Sequence, residues 1–176
     1  MRLPIFIWQR RIGKMQSGLS NQLTRQIGEH LVAAKLGRMG YVAAPFAGNV
    51  PLFDLLAADA RGNSIPIQVK AINGASWQYQ ADTFLNIELV DGFQHVRGKK
   101  PLPNPNLVCI YILLRPNERD EFFIFRLRDL QNFTFKIYKS RKRPKAPESF
   151  HCAVWPKHLK EFRDNWKLIA ETFQIK

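Results

Sequence analysis

Residues 107–114 read LVCIYILL, an unbroken apolar run. It is too short for a packed helix of ordinary length and has no polar residue on either alternate face, so it reads as a strand buried on both sides. A sheet built around such a strand has to be covered above and below. Residues 20–39 offer one cover: Ser20 stands as an N-cap, Leu23, Ile27, Leu31 and Ala34 follow at near-constant spacing, and Gly37 and Gly40 end the pattern. That spacing predicts an amphipathic helix. At the other end Trp155-Pro156 puts proline in a first helical turn, and Leu159, Phe162, Trp166, Ile169 and Phe173 recur at spacings of three and four.

Between these helices the pattern is of strands, at 40–43, 50–59, 65–72, 83–90 and 121–127. Residues 98–106, with three prolines, read as a loop, and so does the basic stretch 136–145. No helical periodicity is visible between Ala71 and Asn106. Helix, strands and helix make a mixed α/β fold. At 176 residues, 1–176 is expected to form one domain, with 1–14 as an extension ahead of Met15.

Charge narrows the function. The chain carries 27 Lys and Arg against 14 Asp and Glu, a formal net charge of +13, which points to a polyanionic partner. The charge is uneven: +6 over residues 1–38, −3 over 39–96 and +10 over 97–176. Basic flanks around an acidic middle suit a nucleic acid gripped at its phosphates, with carboxylates between them to hold a metal ion. Lys139, Arg141, Lys142, Arg143 and Lys145, followed by Lys157, Lys160 and Arg163, are the candidate phosphate contacts.

Other classes fall away. No apolar run reaches the ~18–20 residues of a spanning helix, so no membrane partner is expected. The stretch Ile5 to Trp8 is too short for a secretory signal. Cys109 and Cys152 form no CxxC pair and the four histidines have no metal-ligand spacing, so a reducing, cytoplasmic setting is expected. Trp77 and Tyr79 read as packing residues. His151 and Cys152 are neighbours in a strand-like stretch and there face opposite sides, which argues against a Cys–His nucleophile pair.

The most informative stretch is the hairpin VPLFDLLAAD–ARGNS–IPIQVKAI. A turn near Arg61–Gly62 sets Asp54 opposite Gln68 or Lys70, and alternation puts the three on one face. A carboxylate holds Mg²⁺, and an amide oxygen or a carbonyl such as that of Val69 fills a further position. An ammonium there orients a water or offsets phosphate charge. Taken singly, Glu29 reads as a solvated helix glutamate, and Asp54 with Lys70 as a salt bridge on a half-exposed sheet. The joint pattern is what carries chemistry.

Asp54 followed by Gln68-Val69-Lys70, behind a helix bearing Gly28-Glu29, resembles the PD-(D/E)XK nuclease superfamily in its QxK variant. Pro51-Leu52-Phe53-Asp54 stands where the family has its "PD", with two residues inserted. The pattern is similar to small bacterial endonucleases of this superfamily, including those of group I introns, and more distantly to archaeal junction resolvases. The resemblance spans residues 23–72 and implies a restriction-endonuclease-like core, a central mixed β-sheet flanked by helices. It further implies a Mg²⁺- or Mn²⁺-dependent DNA endonuclease acting on double-stranded DNA; cutting both strands needs two active sites, so a homo-oligomer is expected. On it, Asp54 and Gln68 bind metal, Glu29 positions metal or water, and Lys70 is the catalytic lysine. Gln68, where most members have an acid, removes one negative charge and weakens metal binding. A non-catalytic nucleic-acid-binding module therefore stays open as an alternative, as does a junction resolvase or repair nuclease.

Overall fold

In the computed structural model the chain is described over residues 17–46, 52–115, 117–142 and 146–174, with backbone alone for 17–19 and 141–142. The extension at 1–14, Pro51, Arg143 and Lys145 lie outside the described residues. In chain order the elements are α1 (Ser17–Arg38), β1 (Val42–Pro45), β2 (Leu55–Ala58), β3 (Ser64–Ile72), β4 (Trp77–Gln80), β5 (Leu85–Val90) and β6 (Phe93–Lys99). They continue with β7 (Val108–Leu113), β8 (Glu121–Arg126), α2 (Leu127–Ile137), β9 (Arg141–Lys142), β10 (His151–Val154) and α3 (Lys167–Gln174). Short 3-10 segments lie at Ala81–Thr83 and Pro156–Phe162.

The main sheet has the order β1-β2-β3-β7-β8. β1, β2 and β3 form an antiparallel meander, β3 and β7 run parallel, and β8 returns antiparallel. β7 is the apolar run, and all six of its residues are buried as its composition predicts. Val108, Ile110 and Ile112 face one core, while Cys109, Tyr111 and Leu113 face the other. The crossover from β3 to β7 holds no helix longer than the 3-10 turn, consistent with the missing periodicity between 71 and 106.

α1 and α3 cover the first face. The helix is there, yet its predicted details need correcting. Ser20 is not the cap, because the helix already runs from Ser17; serine is tolerated inside a helix whose preceding residues are also helical. The buried stripe is Thr24, Gly28, Val32 and Leu36, one residue beyond the predicted one, a rotation of ~100°. Leu23 and Ile27 are left 37% and 48% exposed. The cause is Gly28: a Cβ there would lie 2.5 Å from the Ala71 Cβ of β3. The small residue lets helix and sheet approach closely, and that contact outweighs the more apolar ridge beside it.

The second face is covered by α2, by the β4–β10 ribbon and by the β5-β6-β9 sheet. α2 is not anticipated by the sequence pattern, and it takes Lys136 out of the basic loop into its last turn. Arg141 and Lys142 likewise pair with Phe93 and Gln94 of β6 instead of lying in a loop. The C-terminal apolar face is correct in its buried residues Leu159, Ile169 and Phe173, but the helix is not continuous. A 3-10 segment gives way at Asp164, whose φ is +51°, before α3 begins. That kink lets Leu159 join the second core while Ile169 and Phe173 join the first.

Candidate functional site

The site is built on the β2–β3 hairpin. Asp59 closes its turn by accepting hydrogen bonds from the Arg61 and Asn63 N–H groups, 2.9 Å each, and Gly62 supplies φ +85°. Leu55 faces Ile67 and Leu56 faces Pro66, which sets Asp54 opposite Gln68 instead of Lys70. Along β3, Ile65, Ile67 and Val69 are buried toward α1, while Pro66, Gln68 and Lys70 point to the other face.

Asp54 does not stand on that face with Gln68 and Lys70, as simple alternation predicts. β2 breaks off before it. Its N–H still donates to the Ile67 carbonyl at 2.9 Å, and Val69 N–H donates to Asp54 Oδ2 at 2.8 Å. The carboxylate has taken the place of the next main-chain acceptor, so it lies at the open edge of β3. The two main-chain groups of one residue in an antiparallel ladder face the same neighbour, so the Val69 carbonyl points to that edge as well. An edge position is reachable from both faces of the sheet, which is how groups from α1 and from β3 come together.

Arg25, Asp54, Gln68, Val69 and Lys70 line one open cavity of ≈ 310 Å³, joined by Trp77 and Gln78 of β4. Lys70 is exposed at its mouth. Glu29 sits behind Arg25 and does not line the cavity. It is 5% exposed, and Arg25 Nε lies 3.1 Å from its Oε1, too far off the N–H direction for a hydrogen bond. A buried carboxylate oxygen without a hydrogen bond is costly to leave charged. Burial accordingly pushes the Glu29 carboxyl above the usual range; the Arg25 guanidinium opposes this and the Asp54 charge adds to it. Gln68 Oε1 lies 3.8 Å from the Cys109 Sγ, whose thiol is held protonated by complete burial. Among the described residues no three His, Cys, Asp or Glu side chains gather as a metal-binding group. The cavity has one carboxylate, an amide and a main-chain carbonyl instead, with the Glu29 carboxylate paired to Arg25.

The basic residues are less concentrated than the sequence predicts. Lys139, Lys157 and Lys160 are exposed. Arg163 is exposed too, but its Nη2 lies 3.3 Å from Glu121 Oε2 on β8, two strands away from β3. Arg25 and Gln78 are not among the residues that the sequence singles out. Arg25 had a readable signal, since it stands four residues before Glu29 on the same helix and so on the same face. Gln78 had none, because only the tertiary structure brings β4 beside the β2–β3 hairpin, where Gln78 joins the cavity lining. No helix among the described residues is long and apolar enough to cross a membrane.

No family model matches the sequence, and no curated protein matches it. Among solved structures the chain is similar to a bacterial homing endonuclease, I-Ssp6803I, with a TM-score of 0.52 and 14% identity over 89% of this chain and 97% of that one. Its likeness to Hjc, a Holliday junction resolvase from the archaeal hyperthermophile Archaeoglobus fulgidus, has a TM-score of 0.39 at 14% identity, covering 76% and 92% of the two chains. The fold is thus restriction-endonuclease-like, a mixed five-stranded sheet with helices, shared with a DNA endonuclease.

Proposed function

We propose that this chain is a metal-dependent endonuclease that hydrolyses phosphodiester bonds in double-stranded DNA. One observation carries the reading: Asp54, Gln68, Val69 and Lys70 meet in a single open cavity, which Arg25, the ion-pair partner of Glu29, also lines.

The donors that line the cavity fit a hard cation, because the Asp54 carboxylate, the Gln68 amide and the Val69 carbonyl all offer oxygens. Asp54, the Gln68 amide oxygen and the Val69 carbonyl would hold Mg²⁺ or Mn²⁺, with Glu29 positioning the metal or its water from behind Arg25. When bound, such an ion supplies an acidified water and offsets charge developing on the phosphate. Lys70 places an ammonium at the cavity mouth, where it holds the attacking water or a phosphate oxygen. Arg25 presents a guanidinium, whose fork of donors matches two phosphate oxygens. The Val69 N–H keeps the Asp54 carboxylate oriented.

The non-catalytic reading is favoured by the uncharged Gln68, whose carbonyl end faces Cys109. Linear duplex and four-way-junction DNA, incubated with Mg²⁺ or Mn²⁺, separate the two. Wild type should cut, and Lys70→Ala and Asp54→Ala should each lose about 10²–10³-fold, the range for removing one group that stabilises the transition state. Equal cutting by all three proteins would refute the site. Binding without cutting in either metal would establish the non-catalytic module.

A further inference from the structure

The β4–β10 ribbon forms its own two-stranded sheet packed on the main one, and its two faces differ sharply. Trp77 and Val154 are buried, as is Cys152, while Gln78, Gln80 and His151 are exposed. The register pairs Gln80 with His151 and Gln78 with Ala153, so these four share the outward face. That face carries no charged side chain, in a protein of net charge +13. It presents two carboxamides and an imidazole, groups that both donate and accept hydrogen bonds.

Gln78 lies at a junction. It lines the candidate active-site cavity with Asp54 and Lys70, and it also lines a second cavity of ≈ 380 Å³ with His151, Ala153 and Trp155. The ribbon is fastened to the site as well: Trp77 Nε1 donates to the Lys70 carbonyl at 3.0 Å, and the Trp77 ring packs on Tyr111 and Phe123. Gln78 itself donates to Ser76 Oγ at 2.6 Å.

Resting on the nuclease reading above, we infer that the β4–β10 ribbon enters the major groove of duplex DNA beside the scissile phosphate, where Gln78, Gln80 and His151 read base edges. A two-stranded ribbon fits the ~12 Å major groove, and a carboxamide pairs bidentately with adenine. Gln78 and Gln80 are two strand residues apart, ~6.7 Å, which spans two base steps of ~3.4 Å each. Cations grip phosphates without reading sequence, whereas uncharged donors and acceptors in a groove specify it. The ribbon thus adds selectivity to a site that otherwise holds only backbone chemistry, and its anchor on Lys70 ties the base read to the bond cut.

The test is a binding selection from a duplex library with randomised positions, run on the full chain in EDTA so that no cutting is needed. Wild type should enrich an A·T pair at the position Gln78 reads. Gln78→Ala should lose about ten- to a hundredfold of that discrimination at this position alone, the worth of one bidentate pair. Gln78→Glu should shift the preference toward cytosine, whose N4 amine donates to a carboxylate. Gln80→Ala and His151→Ala should relax neighbouring positions. All three side chains are exposed, and unchanged melting temperatures verify folding. Preference without cutting by wild type would sink the nuclease reading and leave the ribbon standing. Cutting without sequence preference, or variants with the wild-type preference, would overturn the ribbon.

Discussion

Gly28→Ala and Gly37→Ala are the same chemical change on the same helix, and the structure assigns them opposite signs. At Gly28 the new Cβ would meet the Ala71 Cβ at 2.5 Å, Ile112 Cδ1 at 3.3 Å and Val69 Cγ1 at 3.6 Å. Carbon atoms in contact sit at ~3.5–4.0 Å, so α1 must lift by ~1 Å or more from β3. The first clash is with a Cβ, which has no rotamer to escape into. The overpacking cost therefore belongs at the upper end of its range, about 3 kcal/mol. Alanine's better helix propensity returns about 1 kcal/mol, leaving a net loss of about 2 kcal/mol. For a chain of this size that is a fall in melting temperature of about 4–8 °C. At Gly37 nothing lies within 4 Å, so only the propensity gain remains, up to about 1 kcal/mol of added stability. Thermal and urea unfolding of both variants measure the difference. Glu29 is the next residue, so lifting the helix should also draw its carboxylate from Asp54 and lower cleavage beyond the stability loss. A Gly28→Ala protein as stable as Gly37→Ala would refute the seating of α1 and, with it, the placement of Glu29.

Two further outcomes are expected. The Glu29 carboxyl has a raised value in the folded protein, so it binds its proton more tightly folded than unfolded. The stability it contributes is fully present below its ordinary value of 4.5 and is lost as pH rises through the folded value. Glu29→Gln should therefore melt higher than wild type at neutral pH in EDTA, with the gap closing at acid pH; a gap independent of pH would show that burial does not penalise the charged form. Replacing Lys139, Lys157 and Lys160 by Gln should flatten the slope of log affinity against log salt by about 0.9 for each phosphate no longer neutralised. An unchanged slope in filter-binding or anisotropy titrations would mean that these exposed lysines do not touch DNA.

Much of the fold is written in local pattern. A short all-apolar run is the mark of a doubly covered strand, and β7 is one, with every residue buried. The β2–β3 hairpin is also legible, since Asp59, Gly62 and Asn63 specify the turn and alternation sets its register within one step. A second hairpin has an equally local signal that apolar periodicity does not register: Asp91-Gly92, both with positive φ, joins β5 to β6 as a two-residue turn. α2 is harder to see. Its start rests on the Asp129 carboxylate accepting the Arg126 N–H at 2.8 Å, and two of its buried positions are the polar Gln131 and Thr134. Both satisfy their hydrogen bonds in ways that no apolar periodicity can reveal.

By itself the sequence determined which groups are available for chemistry: Asp54, Gln68 and Lys70 on one hairpin, Glu29 on a helix before it, and a large excess of positive charge. Backbone alternation and turn chemistry are short-range, so they can be read along the chain. Tertiary structure alone decided how those groups meet. α1 approaches β3 at a glycine with no room for a Cβ, a matter of fit and not hydropathy, and the buried face lies one residue from the most apolar one. The early end of β2 left a ladder position that the Asp54 carboxylate fills, moving it from the sheet face to the edge. The return of β10 beside β4, some seventy residues later in the chain, set His151 opposite Gln80 on the face that also carries Gln78. Each of these depends on packing between segments distant in sequence, where shape and hydrogen-bond completion outweigh local preference.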